Sequence, residues 1–351
     1  MPPKPFPRGL RITPPRLGSH WVVAAWYSLG TPVVLPWYSR GTPVVLPWYY
    51  QSMNLLPCLA IVSCLAAVGA ALAAAGCLFA VRGSTAAPAA LWAIVACLAC
   101  AFEMGVRAGG GLVDPSTSAS ARLAVAAIGL CPAMSLLGAK RPQHGVWQLI
   151  VATLAAVLAL PALTALLVRP GSLPDVHILQ RGFMLLLLLV GWLNFAGTQR
   201  GLAATLIVNG QLAIVWPFLP AVSLAEAIPQ PIVDAIGCSL ILVGAVLAQC
   251  AKKATPVGTV PLTGGAAIVS LIDPPFLALR ETLGAAWALR IAERFDAVAT
   301  TRGWPCRLRF SGLAAGGDPT DTSWHRDAHR AFTALMRRFV NQDWLTRHRQ
   351  A

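Results

Sequence analysis

The sequence predicts an all-α membrane helical bundle of about seven transmembrane helices with a small α+β tail, and three observations carry that expectation. Of the 351 residues, 56% are apolar and 11% charged, whereas an ordinary soluble domain has roughly 25% charged residues. The apolar residues gather into runs near the length of roughly 20 that a hydrocarbon core about 30 Å thick demands of a helix. The net charge of +14 collects at the two ends, with +5 in residues 1–52, +3 in residues 53–251 and +6 beyond.

Residues 1–52 carry an eleven-residue repeat of the form WYS-GTPVVLP, headed by Trp26, Trp37 and Trp48. The period is too short for a solenoid, and Pro32, Pro36, Pro43 and Pro47 forbid one continuous helix. This low-complexity segment is expected to be disordered or not translated, with Met53 as the working start. Recovery of peptides from residues 1–50 of the native protein by mass spectrometry would overturn that expectation.

From Met53 the apolar runs follow at about Asn54–Val81, Ala89–Val106, Leu123–Gly138, Val146–Val168, Gly182–Thr198, Leu202–Leu224 and Ile232–Cys250. Two are short, so six to eight spans bracket the count in a transmembrane domain of residues 53–251. With seven spans and the tail inside, the inner loops hold Arg82, Lys140, Arg141 and Arg200, and Lys252 and Lys253 follow the last run. The outer loops hold Arg107, Arg122, Arg169 and Arg181. The bias puts the C-terminus in the cytoplasm under the positive-inside rule, by a narrow margin.

Residues 252–273 read as a linker of Gly, Thr, Pro and small apolar residues, and residues 274–351 as a basic cytoplasmic tail domain. Pro274 and Pro275 can open a helix at its first turn. Phe276, Leu283, Trp287, Ile291, Phe295 and Val298 then recur on one helical face, amphipathic and not a span. Gly303 ends it; Cys306, Leu308 and Phe310 alternate with Arg307 and Arg309 as a strand. Gly316–Pro319 form a turn, and a last helix over about Ser323–Val340 lines up Trp324, Ala328, Ala331, Leu335 and Phe339. So small a unit needs a membrane surface or a partner to finish its core.

Candidate chemistry is sparse. Polar residues within lipid are costly unless paired and often mark function, which singles out Glu103, Asn194, Asn209 and Gln211 as an intramembrane polar site. The competing reading is hydrogen bonding between helices, at about 0.6–2 kcal/mol each. His325 and His329 stand four apart and can face one metal, but Arg326 occupies the place where a zinc-protease motif needs Glu; a solvated face is the plainer reading. Cys97 and Cys100 form a CxxC inside WAIVACLACAF, where they serve as packing. Eight of the nine cysteines lie in or beside apolar runs, so no disulfide framework is implied. Neither a nucleotide-binding loop nor a nucleophile elbow is present, no cofactor is indicated, and no aromatic-basic interleaving suggests nucleic acid.

Two stretches carry a resemblance: CPAMSLLGAKRPQHGVWQLIV (Cys131–Val151), and RETLGAAWALRIAERFDAVATTRGWPCRLRF (Arg280–Phe310) with MRRFVNQDWL (Met336–Leu345). They resemble an uncharacterised multi-pass membrane protein family of planctomycete bacteria, which implies a bacterial inner-membrane protein over residues 53–351 and no known activity. LRETLGAAW (Leu279–Trp287) is also faintly similar to the tryptophan-rich segment of wax-synthase-like membrane O-acyltransferases. It departs at that motif's arginines and first aromatics, and the family's membrane-helix His is missing, since His144 and His177 lie in loops. Acyl transfer then has no general base. The expected function is a membrane-anchored interaction or assembly component, with the lipid bilayer and a protein at the C-terminal tail as partners and without catalysis. An enzyme on lipid-linked substrates and a small-solute transporter are the alternatives.

Overall fold

The computed structural model describes residues 47–111, 114–138, 144–219, 228–251, 266–316 and 322–349. Within them the chain is helical apart from one small sheet. Expectations for the repeat up to Leu46, for most of the 252–273 segment and for the turn at residues 317–319 lie outside the described residues.

The membrane part comprises α1 (Pro47–Ala80), α2 (Ala87–Ala108), α3 (Pro115–Gly129) running into α4 (Cys131–Leu137), α5 (His144–Leu167), α6 (Ile178–Leu193), α7 (Gly201–Val215) and α8 (Gln230–Cys250). Six stretches are long and apolar enough to cross a membrane, α3 and α4 counting as one and α7 with its terminal 3-10 turn as another; α6 is a shorter apolar helix. Where the third run was expected to begin at Leu123, the helix begins two turns earlier. Asp114 caps it by accepting from the Thr117 N–H at 2.9 Å, and Pro115 supplies its first turn. The fifth run shifts toward the N-terminus by about one turn, because a His177–Gln180 capping box starts α6 ahead of Gly182.

Large apolar side chains such as Leu72, Phe102 and Leu149 face outward, whereas the interior is rich in alanine packed with a set of larger side chains such as Leu123, Leu130 and Met134. Helix α7 lies against α8 so closely that a Cβ on Gly210 would meet the Gly237 carbonyl, and one on Gly244 the Ala203 carbonyl. Small residues permit this approach, and dispersion at short range holds helices together where lipid is as apolar as the side chains.

The tail comprises α9 (Ala266–Leu283), α10 (Ala285–Arg302), β1 (Cys306–Arg309), β2 (Gly312–Ala315), α11 (His325–Met336) and α12 (Gln342–Arg349). Helix α9 corrects the expected linker at its last eight residues and the expected start at Pro274. Ile268 and Ile272 are fully buried in the tail core, and this packing carries the helix through two prolines that would otherwise end it. Strand β1 shows the expected alternation of buried and exposed residues and pairs antiparallel with β2, a partner the sequence did not reveal. On α11 the buried stripe is Trp324, Ala328, Phe332 and Met336, not Ala331 and Leu335, because the i, i+4 ladder continues through the larger side chains.

The tail finishes its core with the bundle. Val81 and Ala86 from the α1–α2 connection are buried in it, and Leu136 packs against it. Ser84 bridges to Val340, the Thr85 N–H donates to the Phe339 carbonyl at 2.8 Å and the Asn341 N–H to the Gly83 carbonyl at 2.8 Å. The bundle thus has a tail end, where α1, α4, α6 and α8 finish, and a far end, where α2 finishes and α3 and α8 begin.

Candidate functional site

Glu103 stands nearly at the far end of α2, and the fold brings three charges to it. Its Oε1 lies 2.7 Å from Arg107 Nη2 and 3.6 Å from Arg122 Nε. Arg122, from α3, also pairs with Asp234 in the first turns of α8; Arg107 Nη1 is 3.5 Å from the same Asp234 Oδ2. Arg107 donates to Ser118 Oγ at 2.6 Å, and Gln230 Nε2 to Asp234 Oδ1 at 3.0 Å. Glu103, Arg122 and Asp234 are almost entirely buried. Two positive and two negative charges close on one another and tie α2, α3 and α8 together. Arg107 and Arg122, read from sequence as loop charges, belong to the bundle interior. Helix-start signals could have revealed this for Arg122, since Asp114 and Pro115 place it two turns inside α3.

The other proposed polar residues do not join this cluster. Asn209 is exposed on the outer face of α7 and donates to the Thr205 carbonyl of its own helix. Gln211 points inward and donates to the Gly129 carbonyl at 2.8 Å. Asn194 lies past α6, at the tail seam. Its Nδ2 donates to the Leu283 carbonyl at 2.9 Å, its carbonyl accepts from the Ala285 N–H at 2.6 Å, and its Oδ1 accepts from the Ala286 N–H at 3.3 Å. One residue of the bundle therefore caps the end of α9 and the start of α10. Between these helices Gly284 has φ +87°, and the space a Cβ would need is filled by Asn194, so only glycine serves there. Next to this joint, the Gln199 N–H donates to Glu281 Oε2 at 3.0 Å, and Arg280 pairs with Glu281 at 2.8 Å.

His325 packs edge-on to Trp324, and among the described residues no three His, Cys, Asp or Glu side chains converge as a metal site. Cys97 lines the bundle interior; Cys100 is buried with its sulfur 3.6 Å from that of Cys238, and every cysteine is free.

The interior holds one further feature with no sequence signal: an apolar cavity of about 280 Å³ between α1, α2, α3, α4, α6, α7 and α8. Alanine is the commonest residue of its wall, for example Ala67, Ala70 and Ala74 on α1 and Ala93 and Ala96 on α2. Lining residues on α7 run from Arg200 to Val215, about 22 Å of helix at 1.5 Å per residue. The cavity is therefore long and narrow. Cys100 and Cys238 lie toward its far end, beside the charged quartet, none of whose members lines it. Arg200, at the start of α7, is the charged residue at the tail end, and among the described residues no carboxylate lies within ion-pair distance of it. Comparison with protein families, curated proteins and solved structures finds no match for this chain.

Proposed function

We propose that the protein is a multi-pass component of a bacterial inner membrane that binds an apolar guest within its bundle and engages partners through its tail. The cavity carries this reading. Ligand pockets are mostly apolar with a few placed polar groups, and this one offers hydrocarbon-like walls, Gln211 already bonded to the backbone, and Arg200. A small polar solute would find little to bind, and Glu103, Asn194 and Asn209 do not reach the cavity; both points favour binding over the transport of small solutes. Mass spectrometry of lipids retained by the purified full chain tests the proposal: a saturable, stoichiometric lipid is expected, and its displacement by Ala70→Phe, which fills the cavity, supports the site. Equal retention by that variant sinks it.

Interaction through the tail is supported by a separate observation. Its exposed surface carries Arg290, Arg294, Arg307, Arg309, Arg326 and Arg338, while its apolar side chains are buried in a core that Val81, Ala86 and Leu136 of the bundle complete. Anionic headgroups attract such bases by about 1 kcal/mol each near the surface, and an acidic protein face would do likewise. Charge reversal at Arg326 and Arg338 should remove partners recovered by crosslinking, whereas unchanged partners argue against the tail as an interaction surface.

The same geometry supports a cytoplasmic tail. Arg107, Arg122 and Arg181 lie within helices of the bundle, which leaves Arg169 among the described far-end connections against Arg82 and Arg200 at the tail end, a bias that favours the tail side as cytoplasmic.

A further inference from the structure

We propose that the guest is a single-chain amphiphile with an anionic head, its chain in the alanine-lined cavity and its carboxylate or phosphate against Arg200. This rests on the apolar-cavity reading and adds the headgroup, its charge and its orientation.

Three observations support it. The cavity is elongated, its lining following α7 from Arg200 to Val215, and its volume of about 280 Å³ suits a single alkyl chain better than a bulky ring system. Arg200 is half-buried at the tail end, where a headgroup would sit at the membrane boundary. Arg107 and Arg122, the arginines at the far end of the bundle, share Glu103 and Asp234, and the half-buried Arg181 donates to the Val176 carbonyl at 2.8 Å. Arg200 lacks a carboxylate partner among the described residues. A guanidinium at the edge of an apolar cavity, with its forked donors uncommitted to a carboxylate, complements a carboxylate or phosphate in two parallel hydrogen bonds.

The loop that carries Arg200 is also fixed in place. Asn194 and Gln199 are held by the tail through Leu283, Ala285 and Glu281. A preorganised cation binds with less ordering cost than a free one.

The test uses the full chain in nanodiscs of zwitterionic lipid and a long-chain fatty acid bearing a photoreactive diazirine near its methyl end. Crosslinks are expected on the α1 or α2 segments that line the cavity. Unlabelled fatty acid or monoalkyl phosphate should compete at least about tenfold better than the fatty alcohol of equal length, and the stronger of the two anions identifies the head. Arg200→Gln should erase the difference between acid and alcohol, Arg200→Lys should keep most of it, and Arg181→Gln should leave it intact. Cavity crosslinks with equal competition by acid, phosphate and alcohol overturn the headgroup assignment and leave the apolar-cavity reading standing. Absence of saturable cavity crosslinks overturns both. The comparison of competitors in the unaltered protein decides the matter even where a variant fails to fold.

Discussion

The bundle and the tail of this protein are packed by opposite rules. The tail core is built on large rings: Trp344, Phe276, Phe295 and Phe332 are its biggest fully buried side chains, and among the described residues its exposed large apolar side chains reduce to Leu271 and Leu289. The bundle interior is rich in alanine and cysteine, with Leu123, Leu130 and Met134 as large buried members, while many other leucines and Phe79 and Phe102 point outward. Water explains the first arrangement, because burying a large apolar group removes it from a solvent that disfavours it. Lipid explains the second, because a leucine gains nothing by leaving hydrocarbon, and helices associate by close backbone approach and polar contacts instead.

The largest expected effect falls on the polar contacts. Arg122→Leu strips Glu103 and Asp234 of a shared cation in an apolar interior, and should cost about 3–5 kcal/mol in detergent unfolding. An unaltered transition would show that the quartet is no part of what holds α2, α3 and α8. Phe332→Ala removes a ring packed edge-on to Phe295 at 6.3 Å between centroids, with an expected loss of about 3–5 kcal/mol confined to the tail. Protease protection of the tail should fall while that of the bundle persists.

Enlargement should reverse the comparison. Gly210→Leu forces α7 from the Gly237 carbonyl and should cost about 1–3 kcal/mol, a loss that thermal unfolding of the bundle would register. The outward Leu72→Ala should stay within about 0.5 kcal/mol although it deletes a large apolar group. Equal losses from Leu72→Ala and Phe332→Ala would erase the distinction between the two packing rules.

Between these in size lies a pH effect in the tail. Asp273 of α9 accepts the Leu313 N–H at 2.7 Å, and its burial nevertheless pushes the carboxyl up to about 6. The folded tail therefore holds this proton more tightly than the unfolded chain does. Stability from this group is complete below about pH 4 and is lost as the pH rises through about 6. A change of about 1–2 kcal/mol is expected across that window, discounted for partial solvent screening, and Asp273→Asn should flatten it.

Much of the architecture was legible in the residues. Seven apolar runs became seven apolar helices, with one too short to count among the long spans, and the alternation around Leu308 became a strand. What failed did so for identifiable reasons. Helix α9 begins before Pro274 because Ile268 and Ile272 are buried against distant parts of the tail, which no local pattern encodes. Strand β2, GLAA, is too small and uniform to display a period of two. Asn194 looked like a residue within a span because Phe195 and Ala196 extend the apolar run past the true end of α6. Gln211 was named only as one polar candidate among four, with no sign of which would face the interior, and Arg200, the charge beside the cavity, read as an ordinary loop base.

By itself the sequence determined that the chain has the character of a membrane protein and roughly where its apolar helices fall. Hydropathy and periodicity are sums over neighbouring residues, so they survive without knowledge of the fold. Only the tertiary structure decided that Arg122 meets Asp234 across 112 positions, that Asn194 joins bundle to tail, and that alanines on several helices leave a space between them with Arg200 at one end. A pairing energy or a cavity depends on side chains brought together from separate segments, and neither exists until those segments have packed.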